Sequence, residues 1–182
     1  MNRRVVVLVV SVAVMAIFGF CALALAKDDS AKKRKLRAEL EGFQEVPAVS
    51  TTASGEFRGE INDNGTSIQY ELSYSDLQGT VRQASIHFAQ GDVIGGISVF
   101  LCQTVTNPDP TLLAPTCPQS GTVTGTITAA NVIATVPTQG IAAGELAKLV
   151  QAIREGVTYV NVHSSLFPGG EIRGQINEQG RH

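Results

Sequence analysis

The feature that most constrains this chain is a period-two alternation of apolar and polar residues, written twice in nearly the same words. In GEFRGEI (55–61), Phe57, Gly59 and Ile61 alternate with Glu56, Arg58 and Glu60, the period of a strand with one buried face. GEIRGQI (170–176) repeats the pattern, with Ile172, Gly174 and Ile176 inward and Glu171, Arg173 and Gln175 outward. Such a segment must bury one face against another layer, which restricts the chain to sheet architectures. If the two copies lie near each other, Arg58 and Arg173 can pair with Glu56, Glu60 or Glu171 across the outer face. Inward glycines at Gly59 and Gly174 either let another segment approach closely or mark a bulge.

Asn64-Gly65 follows the first copy and marks a hairpin, because both residues tolerate positive φ. The return strand TSIQYELSY places Ile68, Tyr70, Leu72 and Tyr74 on one face. Further strands are expected at 36–41, 83–89, 97–102, 121–128, 158–164 and 171–176. In GELAKLVQAIREG (144–156), Leu146, Leu149, Val150 and Ile153 fall at helical spacing, and Gly156 stands where a helix C-terminus is capped. The expected fold is all-β: an antiparallel β-sandwich or barrel, immunoglobulin-like or Greek-key, with one short amphipathic helix that seals an open end or edge.

The N-terminus reads as targeting rather than fold. Asn2-Arg3-Arg4 precedes an apolar run that ends in Ala24-Leu25-Ala26, the pattern of a signal peptide cleaved after Ala26. Its rival is an uncleaved anchor, since residues 5–26 carry no charge over 22 positions. Lipidation at Cys21 would want a small residue where Phe20 stands. The organisation is therefore a signal peptide (1–26), a basic tether (27–35) and one domain (36–178), exported to the periplasm or the medium. From Ala38 onward there are six Lys and Arg against fourteen Asp and Glu, a net of −8. That balance excludes nucleic acid as a partner. A membrane partner is expected only if the leader is retained. The two cysteines left after the leader, Cys102 and Cys117, suggest a disulfide in an exported chain. Closing that loop would stabilise the fold by about 3 kcal/mol.

Four segments, LEGFQEVPAV (40–49), ASGEFRG (53–59), ASIHFAQGDVIGGISVFLC (84–102) and GVTYVNVHSSLFPGGEIRGQI (156–176), together resemble the CHRD domain, a module named after the animal protein chordin and also found in bacterial exported proteins. Glu45, Pro47, Asn161, His163, Gly170, Glu171, Arg173 and Gly174 are the structural-motif residues of this resemblance. It implies an immunoglobulin-like or barrel-like fold and an extracellular binding module without assigned activity. Members often carry His-Ile-His where this chain has Ser85-Ile86-His87, so the first of any two histidine ligands is missing.

Candidate chemistry is sparse. His87 shares a strand face with Ser85, and His163 with Tyr159 and Asn161. If the strands are neighbours, the imidazoles could converge beside Asp92 or Glu171. IHFAQGD and GGEIRG are also similar to the metal-bearing strands of copper–zinc superoxide dismutases. Such a site takes three or four ligands, and the chain has three histidines, one of them the terminal His182. No metal or other cofactor is therefore expected, and each histidine is read as a hydrogen-bonding anchor for a loop. Ser164 and Ser165 beside His163 point to different faces and make no nucleophile–base pair, and no Gly-x-Ser-x-Gly elbow occurs. Glu45 and Glu171 would be the carboxylates of any glycoside chemistry. Tyr159 and Phe167 are the only expected exposed aromatic pair for a sugar. The leading expectation is a non-enzymatic binding or structural module whose partner is an extracellular or periplasmic protein or glycan. Its surfaces are the sheet edges and the Pro-rich loop 107–116. A metal-binding, redox-active domain centred on His87 and His163, or a carbohydrate-binding module, are the alternatives.

Overall fold

The structure, a computed structural model, describes residues 34–135 and 139–180. The signal peptide and residues 27–33 of the tether lie outside the described residues. The domain consists of β1 (Arg34–Glu41), β2 (Ser54–Ile61), β3 (Ile68–Ser75), β4 (Val81–Phe88), β5 (Gly96–Cys102), β6 (Gly121–Ile127), α1 (Leu146–Arg154), β7 (Thr158–Ser164), β8 (Ile172–Gln175) and β9 (Asn177–Glu178). Among the described residues, no helix is long and apolar enough to cross a membrane.

The strands form one antiparallel sheet in the order β5-β4-β7-β8-β1-β2-β3-β6, with β9 pairing beside β8 on β1. The sheet curls until it nearly closes: the Tyr70 hydroxyl on β3 donates to the Leu101 carbonyl on β5 at 2.6 Å. The expected alternation is thus realised as a barrel-like single sheet. Its interior holds Phe57, Ile61, Leu72, Ile86, Val160 and Ile172, none of them exposed to solvent. Leu149 and Ile153 of α1 belong to the same core. The helix ends as its glycine dictates, with Gly156 at φ +67° and paired bonds from Gly156 N to Ile153 O and Val157 N to Ala152 O.

The duplicated words become β2 and β8, and both flank β1: Glu41 faces Ser54 on one side and Arg173 on the other. Gly174 is required by that packing, because a Cβ there would strike the Glu39 carbonyl oxygen of β1. Gly59 is less constrained, its would-be Cβ meeting only the Phe57 ring and Leu36. The Asn64-Gly65 signal sits in a six-residue turn closed by Asn62 N to Ser67 O at 3.0 Å, with Gly65 at φ +70°. Cys102 and Cys117 are joined in a disulfide.

Candidate functional site

Three adjacent strands carry His87, Tyr159, Asn161, His163, Arg173 and Gly174 among the residues that the sequence singles out. The registers align Gln83 with His163, Ser85 with Asn161 and Arg173, and His87 with Tyr159 and Gln175. Their side chains share the face opposite Ile86, Val160, Val162 and Ile172, so alternation alone assigns them to solvent. Instead the face is covered. Arg173 is 2% exposed, Tyr159 1% and Ser85 fully buried. Two expectations are corrected here: Tyr159 is no exposed sugar platform, and Arg173 and Glu171 do not face water.

The cover consists of three loops, and the buried polar groups are what hold them down. Arg173 donates to the carbonyls of Val93 (3.0 Å) and Gln90 (3.1 Å). Gln175 Nε2 donates to Ala89 O at 3.0 Å, and Gly95 N donates to the Tyr159 hydroxyl at 3.2 Å. His87 Nδ1 lies 2.9 Å from Gly95 O and His163 Nδ1 3.0 Å from Pro168 O. A carbonyl only accepts, so each Nδ1 carries the hydrogen and each Nε2 keeps a lone pair. The Ser85 hydroxyl donates to that lone pair on His87 at 3.0 Å. Aromatic faces complete the cluster: the Arg173 guanidinium lies 3.4 Å above the Tyr159 ring, His87 stacks on Tyr159 at 4.8 Å, and His163 on His87 at 5.6 Å. The third loop (42–53) is closed by Val49 N to Gly42 O and contains Pro47 after a cis peptide. It brings Glu45 to Asn161, whose Nδ2 lies 3.4 Å from Glu45 Oε2. Glu171 does not join this group; its Oε1 accepts from Thr51 Oγ1 (2.8 Å) and Gln78 N (2.7 Å), tying two loops together.

Burial sets the electrostatics. It pushes the His87 imidazole down to about 3, assisted by His163 and Arg173, and holds His163 below the ordinary histidine range. It raises the Glu45 carboxyl to about 7 against the opposing pull of Arg173. Both imidazoles are therefore neutral near pH 7.

This arrangement has the parts of a nucleophile–base pair in Ser85, His87 and the orienting Gly95 carbonyl. Ser85 has no solvent access, and burial makes the His87 imidazole a weak base. The two imidazoles do converge, beside Tyr159 and Ser85 rather than Asp92 or Glu171. Among the described residues, no group of three or more His, Cys, Asp and Glu is placed to hold a metal ion. Glu45 and Glu171 have different hydrogen-bond partners, Asn161 for the first and Thr51 and Gln78 for the second. Of the expected ion pairs of the repeat, the first copy forms one: Arg58 meets Glu56 at 2.8 Å, joined there by Arg37.

A second structured surface lies between Cys102 and Cys117. The buried Asp109 carboxylate accepts from Thr111 N (3.0 Å), Thr111 Oγ1 (2.6 Å), Leu113 N (3.2 Å) and Ala114 N (3.0 Å). Gln103 Nε2 donates to Ala114 O. Leu112 is held at φ +59°, which costs a leucine about 1–2 kcal/mol. Asp109 was not singled out by sequence; its signal was an acidic residue between two prolines, Pro108 and Pro110, ahead of Thr111, the composition of an Asx turn.

Fold and cluster together define an all-β domain, nearly closed, whose polar residues serve as internal loop anchors. The family model of the CHRD domain matches residues 36–176, and the chain belongs to that family. Searches of curated proteins and of solved structures found no match.

Proposed function

We propose that this protein is an exported, non-enzymatic binding module that engages a partner through its loops. One observation carries the reading. All seven large apolar side chains exposed among the described residues lie on connections between strands that are fastened by buried polar groups or by the disulfide. Phe43, 74% exposed, is on the loop that carries Glu45. Val93 and Ile94 are on the loop bound by Arg173 and His87. Leu166 is on the loop bound by His163, and Val105, Leu112 and Leu113 are on the loop held by Asp109 and Cys102–Cys117. Apolar groups kept in water on ordered loops cost little further entropy when a partner covers them. Export is supported by the leader pattern and by a disulfide, which persists in oxidising compartments.

The test compares captured partners for the wild-type protein and for Phe43→Ser, Ile94→Ser and Leu112→Ser, each checked for unchanged melting temperature. A saturable partner lost in at least one folded variant is expected. If every partner binds all three variants as it binds wild type, the loop surface is not the binding surface.

A further inference from the structure

Three acceptor atoms in the polar cluster have no donor: Glu45 Oε1, Asn161 Oδ1 and His163 Nε2. All three side chains are more than nine-tenths buried, where an unpaired acceptor is costly. The first two border one space, since a Cβ built on Gly170 would collide with both. Nothing else pairs them well. Asn161 Nδ2 makes only long contacts, 3.4 Å to Glu45 Oε2 and 3.5 Å to Gly169 O. Turning the amide end for end sets its oxygen against those same two acceptors, so the shortage of a donor survives either assignment. Arg173 hydrogen-bonds neither oxygen; two of its N–H groups go to Val93 O and Gln90 O.

One hydrogen between the two oxygens satisfies both. We infer that Glu45 carries a proton in the folded protein and donates it to Asn161, a proton-dependent latch that ties the 42–49 loop to β7. The charged and titratable groups that act on it are Arg173 from β8 and Tyr159 from β7. Arg173 is the one cation among them, and its pull is outweighed by burial, which sets the carboxyl at about 7. The latch is closed in mildly acidic solution and opens as pH rises through neutrality, when the carboxylate faces an amide oxygen with no hydrogen between them. Opening frees the loop that displays Phe43; the latch stands whatever that loop binds.

The experiment follows the side-chain carbonyl carbon of Glu45 by NMR in the whole exported protein, with loop amide exchange corrected for intrinsic rates. The expected midpoint is near 7, with protection of the 43–49 amides falling by up to about tenfold per pH unit between the ordinary carboxylate value and that midpoint and levelling off above it. Glu45→Gln, neutral at every pH and able to donate from its amide, is expected to keep that protection constant from about pH 5.5 to about pH 8.5. The wild-type titration decides even if the variant does not fold. A midpoint in the ordinary carboxylate range overturns the inference. So does a resonance that moves on adding a chelator, which would place a cation rather than a proton between the oxygens. Loss of protection in Glu45→Gln equal to that in Glu45→Ala overturns it too.

Discussion

Arg58 and Arg173 occupy the same place in two copies of one sequence word, and the structure gives them opposite weight. Replacing Arg173 with Met keeps much of the stem but removes two hydrogen bonds from a charged donor, at about 1.5 kcal/mol each. It also removes a desolvated cation–π contact with Tyr159, worth about 1–2 kcal/mol. The loss comes to about 4 kcal/mol, moderated because Glu45, freed from the guanidinium, stays neutral more readily. Arg58→Met removes only solvent-facing partners, which contribute little in water, and is expected to leave stability unchanged within error. Urea denaturation measures both. Native-state hydrogen exchange adds a local readout: in Arg173→Met, the amides of residues 90–95 lose protection before the core strands do. If the two variants cost the same, or if residues 90–95 keep their protection without Arg173, the anchoring argument is wrong.

Other outcomes follow from the same geometry. Burial lowers both imidazoles, so each contributes stability present above the ordinary histidine value and lost as pH falls below it, at up to about 1.4 kcal/mol per pH unit. Glu45 runs the other way, its contribution full below the ordinary carboxylate value and lost as pH rises through about 7. Melting temperature against pH therefore passes through a maximum, and His87→Gln should flatten the acid limb; an unchanged limb would show that His87 is not neutral in the fold. Gly174→Ala should destabilise by several kcal/mol because its methyl meets the Glu39 carbonyl, while Gly59→Ala should cost much less by the same melting assay. Cys102→Ala with Cys117→Ala should cost about 3 kcal/mol in reversible unfolding. A loss well under 1 kcal/mol would mean that Asp109 holds that loop unaided.

The sheet was legible because alternation has only one structural solution: β7 spans the residues expected, and β1, β4, β5 and β6 differ from expectation by one or two residues at their ends. The hairpin and the capped helix were legible through Asn64-Gly65 and Gly156. What misled was the outer face of β4, β7 and β8. Period two assigns Arg173, Tyr159 and Glu171 to a face, but it cannot say whether loops from elsewhere in the chain will cover that face. The clue lay in residue types rather than spacing. Tyr159, Asn161 and His163 in a row, each with both apolar surface and hydrogen-bonding atoms, suit a dry polar layer better than a wet one. The convergence of His87 and His163 follows from β4 and β7 being neighbours, a pairing between distant segments that no local pattern encodes.

The claim at the centre of this account is that the imidazole cluster anchors loops and holds no metal. Metal analysis of the protein purified without chelator or affinity tag tests it most directly. The account predicts an empty, fully folded protein whose spectrum and melting temperature do not respond to added copper or zinc. A near-stoichiometric metal that disappears in His87→Ala, with the fold retained, would contradict it and make the cluster a metal centre.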